Sequence, residues 1–222
     1  MAKLSIRHFL LELIFPEFCL NCQKLGPSLC ANCYHGLNFY FQGQKPNIVE
    51  ENKEQVYFDQ LQIMAQFRGP LQKLIKALKY QNAKNIAPLL AKMLHRHLKI
   101  PSADMLTFIP LHPKKLRWRG YNQCQEIALT LGEISKIPVQ NLLIKTINNQ
   151  AQAQIKEQKT RKERMKGVFA IPTQNLPIIK NKHILILDDV LTTGATINEA
   201  SRLLKLAGAR RVDVIVLASK MD

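Results

Sequence analysis

No stretch of this 222-residue chain approaches eighteen consecutive apolar residues, the length a membrane-spanning helix needs. The nearest candidate, residues 9–15, is interrupted by Glu12 and ended by Pro16, and no small-residue cleavage site follows it. It therefore reads as neither a span nor a secretion signal, and the chain is expected to be soluble and cytoplasmic. Acidic residues are scarce. Sixteen Asp and Glu stand against 32 Lys and Arg, for a formal net charge of +16 and a pI near 9.8. Between residues 60 and 103 there is no carboxylate at all, while Arg68, Lys73, Lys76, Lys79, Lys84, Lys92, Arg96 and Lys99 occur there. A field of this size and sign favours a polyanionic partner such as nucleic acid or phosphate, although a solvated basic surface has the same composition. Cysteines number five. An odd count speaks against a closed disulfide framework and for a metal site in a reducing compartment. No internal repeat or low-complexity tract is visible.

What remains is ordinary globular material. Hydrophobic residues make up 46% of the chain, enough for one α/β domain with a small appendage. Residues 1–45 hold four of the cysteines and end in the turn-prone Gly43-Gln44-Lys45-Pro46-Asn47, which places a boundary between a module at 1–45 and a domain at 46–222. The zone from 46 to about 103 reads as helical. Leu71, Leu74, Ile75 and Leu78 recur at helical spacing after Gly69-Pro70, and Ile86, Leu89, Leu90, Met93 and Leu94 mark a second helix. His95 and His97 read as surface residues. Beyond it, apolar strands at 105–110, 138–144, 184–187 and 212–217 alternate with helices at 121–131 and 196–207. Such alternation implies a mostly parallel sheet flanked by helices, with ligands at the carboxyl ends of the strands.

The most informative segment is residues 184–196, ILILDDVLTTGAT. Asp188 and Asp189 at the strand end can accept hydrogen bonds from two vicinal hydroxyls. Thr192, Thr193, Gly194, Ala195 and Thr196 can offer hydroxyls and backbone N–H groups to a phosphate at the start of a helix, where the dipole favours anions. Gly194 supplies the close approach or positive φ that such a cradle needs. A buried strand with an Asp-rich turn and a threonine cap accounts for one Asp and one Thr, but not for the whole pattern. The segment resembles the binding motif for phosphoribosyl pyrophosphate (PRPP) in type I phosphoribosyltransferases. That resemblance implies that Asp188 and Asp189 hold the ribose hydroxyls, that residues 192–196 hold the 5-phosphate, and that Mg²⁺ bridges pyrophosphate and ribose. Purine-salvage members carry an aspartate where Thr192 stands, so no catalytic base is assigned.

Cys19, Cys22, Cys30 and Cys33 form C-x2-C-x7-C-x2-C. Two such knuckles can place four thiolates tetrahedrally around Zn²⁺ and tie together a module too small for its own core. Disulfides, a redox dithiol and an iron–sulfur cluster are the alternatives. Cys124 reads as a packed small residue.

Residues 108–123, FIPLHPKKLRWRGYNQ, follow the first strand of the α/β domain and bring Lys114, Lys115, Arg117 and Arg119 together without an acid. At a strand end, Lys115, Arg117 and Arg119 are placed to neutralise a pyrophosphate; an exposed basic loop is the alternative. With the LIFPEFCLNC start, FRGPLQKLIKALKY at 67–80, QIKEQKTRKERMKGVFAI at 154–171 and AGARRVDVIVLA near the end, the chain resembles the ComF family of competence proteins over nearly its whole length. The element at 154–171 departs from the family pattern, with Met165 where Asn is common. Membership would imply a type I phosphoribosyltransferase-like sheet with a zinc module. It would also imply DNA uptake and single-stranded DNA handling in natural transformation, with a helicase-type partner at the inner face of the membrane. Tyr80, Trp118 and Tyr121 lie among basic residues and can serve either base stacking or packing. A catalytic phosphoribosyltransferase acting on a nucleobase or amine is the competing function.

Overall fold

The computed structural model describes residues 16–40, 55–146 and 167–220. Four strands, β1 (Gln60–Gln66), β2 (Met105–Phe108), β5 (His183–Leu191) and β6 (Arg211–Ser219), form one sheet in the order β1-β6-β5-β2. Every pairing in it is parallel, with Leu187 opposite Phe108 and Asp188 opposite Val216. The two central strands are buried along most of their length, as a parallel sheet covered on both faces requires.

Side-chain alternation sorts the sheet into two cores. Leu185, Leu187, Ile215, Leu217, Leu106 and Met64 face α2 (Gly69–Tyr80), α3 (Ala87–His97) and α5 (Gln123–Ser135). Ile184, Ile186, Val212, Val214 and Val216 face the other way. There they meet α7 (Ala195–Leu206) and a small antiparallel pair, β3 (Ile144–Lys145) with β4 (Phe169–Ala170). The cysteine-bearing residues join the first core: Cys19, Leu29, Cys33 and Leu37 are buried with α2 and α3. Phe39 bridges Ala65 at the free edge of β1, and Phe39 stacks on the His97 ring with centroids 3.7 Å apart. His97 is therefore a docking residue for the module, while His95 is exposed.

Four expectations are corrected. The zone before residue 103 is not all helical, because Gln60–Gln66 forms the edge strand β1; its Met and Ala are helix formers and hide the alternation. Residues 138–144 do not make a strand. Val139 makes one isolated bridge to Leu106, and pairing resumes only at Ile144. Strand β5 does not stop at Leu187 but carries both aspartates within it to Leu191. The basic loop after β2 contains a short helix, α4 (Pro113–Arg119), capped by His112 and ended at Gly120 with φ of 82°. The basic stretch at 154–166 and the apolar stretch at 9–15 lie outside the described residues. Among the described residues, no helix is long and apolar enough to cross a membrane.

Candidate functional site

The site forms where β2 and β5 end. Because successive residues of a strand face opposite sides, Asp189 points toward α2 and α5. There Lys79 Nζ donates to Asp189 Oδ1 at 2.7 Å, and Gln123 Nε2 donates to Oδ2 at 2.5 Å. Asp188 is half-buried, and its carboxylate lies within 4.8 Å of that of Asp189. Its Oδ1 accepts the backbone N–H of Asp189 at 2.8 Å and faces the buried Cys124 thiol at 3.7 Å. Both oxygens of Asp189 are thus already engaged by the protein, although each keeps a lone pair for a further donor. Asp188 is the freer of the two.

Cations surround the pair. Lys79 reaches it from the last turn of α2. Burial works against the ammonium, but the Asp189 carboxylate holds its pKa above the usual lysine value. Lys115 is pushed down by burial and by the neighbouring Arg119 and Lys79. Lys145, on β3, is pushed down by burial and by Lys115 while Asp188 pulls it back. Four positive groups, two of which (Lys115 and Lys145) are lowered partly by their cationic neighbours, make a basin that an anion would relieve. Asp188 responds in the opposite sense. Burial and the adjacent Asp189 raise its carboxyl to about 7, and burial with both aspartates drives the Cys124 thiol well above its ordinary value. Cys124 is therefore an inert thiol here, not a nucleophile.

The cations expected from the sequence fall in different places. Lys115 is beside the pair. Arg119 is buried, donates through Nη1 to Gln123 Oε1, and lies over the Tyr80 ring at 5.5 Å. Its Nε and Nη2 are buried without a hydrogen-bond partner among the described residues. Arg117 is exposed on the outer side of α4. Downstream, Gly194 takes φ of 77° and caps α7, so the chain turns from β5 into the helix within Thr192 and Thr193. Thr192 is exposed, while Gly194 is buried. The turn thus opens the N-terminus of a twelve-residue helix beside the acid pair.

The four N-terminal cysteines converge as their spacing implies. Their Sγ atoms lie within 4.8 Å of one another, and Cys22 and Cys30 are 3.7 Å apart. A tetrahedron with metal–sulfur bonds of about 2.3 Å has edges of about 3.8 Å, so the donor set fits a bound metal ion and none of the four is in a disulfide. Burial opposes ionisation of Cys19, but backbone N–H groups of Cys22, Cys30 and Asn21 lower its pKa to about 6. Cys33 accepts from Asn21, yet burial and the other three thiols push it up to about 11. Four thiolates cannot share this space without a cation to hold them.

Residues 124–222 match the family described as the phosphoribosyl transferase domain. Competence protein F of Haemophilus influenzae is 30% identical, with 90% of this chain and 89% of that protein aligned. The chain belongs to the ComF family. Two further relatives agree: DNA utilization protein YhgH of Salmonella typhi is 30% identical over 68% of each chain, and competence protein ComFC of Streptococcus pneumoniae is 32% identical over 57% of this chain and 53% of its own. ComF membership and the domain match fix the fold as type I phosphoribosyltransferase-like, consistent with the parallel sheet.

Lys79, Gln123 and Lys145 did not stand out in the sequence as site residues. Lys79 belongs to a basic helix and looks solvent-facing, and Lys145 sits in an unremarkable strand. The one signal available was position, since Gln123 closes the RGYNQ string and Lys79 falls one residue before the end of the FRGPLQKLIKALKY string.

Proposed function

We propose that this ComF-family chain handles single-stranded DNA during natural transformation, and that it binds PRPP or a related ribose phosphate at the strand ends of its phosphoribosyltransferase-like domain. The observation that carries the ligand half is the acid pair Asp188–Asp189 set among Lys79, Lys115, Arg119 and Lys145 beside the Gly194 turn. Asp188, the freer carboxylate, accepts a ribose hydroxyl. Asp189 is held in place by Lys79 and Gln123 and accepts the second hydroxyl with its remaining lone pairs. The turn of Thr192, Thr193, Gly194, Ala195 and Thr196 takes the 5-phosphate at the positive end of α7. Lys115, with Arg119 behind it, neutralises the pyrophosphate, and Arg117 contributes from the rim. Mg²⁺ would supply further neutralisation between pyrophosphate and ribose, and a half-buried carboxylate with neighbouring oxygen acceptors suits such a hard cation.

Competence and DNA utilization are the roles named for the relatives, and they carry the DNA half together with the +16 charge. Transfer to a nucleobase or amine is the less favoured function. The four cysteines hold structural Zn²⁺, whose closed four-thiolate shell leaves no position for substrate, and they tie together residues 16–40, which pack on the domain that follows. A helicase-type partner at the inner face of the membrane completes the cytoplasmic setting.

Titration calorimetry with PRPP and Mg²⁺ tests the ligand site: Asp188→Asn should lose at least tenfold in affinity, and unchanged binding would remove the assignment. Deletion of the gene should abolish transformation, and the Asp188→Asn chain supplied in trans shows whether ligand binding serves uptake.

A further inference from the structure

Tyr80, Trp118 and Tyr121 stand alike in the sequence, but the structure separates them. Tyr121 is buried and donates its hydroxyl to the Leu78 carbonyl, so it packs. Tyr80 and Trp118 are 61% and 69% exposed. They come from the ends of two different helices, α2 and α4, yet their ring centroids are 6.4 Å apart at an interplanar angle of 57°. Trp118 is the one tryptophan of the chain. Leaving two large aromatic side chains side by side in water forgoes burial that each would otherwise gain, and such a patch marks a contact surface.

The surroundings select the occupant. Lys73, Lys76 and Tyr80 share the exposed face of α2, and Lys114 and Arg117 are exposed beside Trp118 on α4. Neither helix contributes a carboxylate. Lys73 Nζ donates to the Asn21 carbonyl of the first cysteine knuckle at 2.9 Å, so the basic face starts at the metal module. From there to Tyr80 is seven helical residues, about 10 Å. At the far end the Arg119 guanidinium lies over Tyr80 and bonds Gln123, which holds Asp189. A cationic track that ends on exposed rings suits a polyanion whose π-faces are free. Single-stranded DNA or RNA offers this, whereas a duplex keeps its base faces stacked inside.

We propose that Tyr80 and Trp118 form a base-stacking platform for single-stranded nucleic acid, with Lys76, Lys114 and Arg117 on its phosphates. This deepens the DNA-handling function proposed above and rests on it.

The test uses the full-length, metal-loaded chain and a fluorescein-labelled dT20 followed by anisotropy at several salt concentrations. Trp118, as the only tryptophan, reports directly by its own fluorescence. Saturating unlabelled dT20 should quench it, and PRPP should not. Trp118→Ala and Tyr80→Ala should each weaken dT20 binding roughly tenfold, the effect of losing one stacked base, with the salt dependence unchanged. Trp118→Phe should recover most of the loss. Lys76→Ala should instead lower the salt slope by about one. PRPP binding in Trp118→Ala should equal the wild type, which also verifies folding. If dT20 binds the wild type with normal salt dependence but neither aromatic variant weakens it, the platform is refuted and the DNA-handling function stands. If the wild type does not bind dT20, that function falls and the platform with it. Quenching by vesicles of anionic phospholipid but not by dT20 would make the patch a membrane contact and overturn the proposal.

Discussion

Replacing Lys79 by methionine keeps the aliphatic stem and removes the charge facing Asp189. The ion pair spans 2.7 Å, with the lysine side chain 19% and the aspartate 7% exposed. At an effective dielectric of about 20 the direct attraction is roughly 6 kcal/mol, most of which offsets desolvation of the two groups. The net cost of Lys79→Met comes from the carboxylates left behind, since two adjacent aspartates would share a largely dry site without their closest cation. Breaking a buried pair in this way costs about 3 kcal/mol, a large share of a typical domain's stability. The protein can limit the loss by taking up a proton on Asp188, whose pKa is already about 7. The destabilisation should therefore be larger at pH 8 than at pH 6. Urea unfolding of wild type, Lys79→Met, Asp189→Asn and the double variant at both pH values measures this. The double variant should be closer to wild type than Lys79→Met is, because Asp189 no longer carries a buried charge without its partner. A Lys79→Met chain within about 0.5 kcal/mol of wild type at pH 8, or a double variant no more stable than the single, would refute the assigned role of the pair.

Asp188 gives a pH signature of its own. Its folded pKa lies above the unfolded value, so between about pH 4 and 7 the folded chain holds a proton that the unfolded chain has released. Its contribution to unliganded stability therefore falls as pH rises through that window and levels off above about 7; Asp188→Asn should flatten this slope in thermal melts. A ligand that needs the ionised carboxylate should bind about tenfold more weakly at pH 6 than at pH 8, as calorimetry with PRPP can show. Elemental analysis should find one zinc per chain, and Cys22→Ser, at the most exposed of the four ligands, should release it and lower the melting temperature. At Gly132 an added Cβ would lie 2.5 Å from Val139 Cγ2 and 2.7 Å from the Ile137 carbonyl. Gly132→Ala should therefore destabilise by about 1–3 kcal/mol, measurable by urea unfolding, with little effect on zinc content.

Local chemistry was legible in the sequence wherever neighbours in the chain are also neighbours in space. The apolar run of β5, its two aspartates and the Gly194 turn form one continuous segment, so the order of residues alone placed carboxylates beside a helix N-terminus. The paired CxxC spacings did the same for the cysteines. Helices α2 and α3 declared themselves by their apolar period. The edge strand β1 did not, because it is buried only in part and pairs with β6, whose residues lie about 150 positions later.

Tertiary structure decided which groups meet. Lys79 and Asp189 are 110 residues apart, and nothing in a basic amphipathic helix tells which lysine turns inward. Strand alternation alone would have separated Asp188 from Asp189, but packing leaves their carboxylates within 4.8 Å of each other, with Lys79 and Gln123 bonded to Asp189 and Lys145 within the field of Asp188. The sequence determined that this chain carries a carboxylate pair, a Thr-Gly turn ahead of a helix, two paired CxxC spacings and an excess of cations. The fold determined that one aspartate is locked on both oxygens while the other is held through one, that Arg119 turns inward while Arg117 stays at the surface, and that of three similar aromatics one is core and two face solvent. Burial and long-range pairing produce those distinctions, and both are properties of the packed chain.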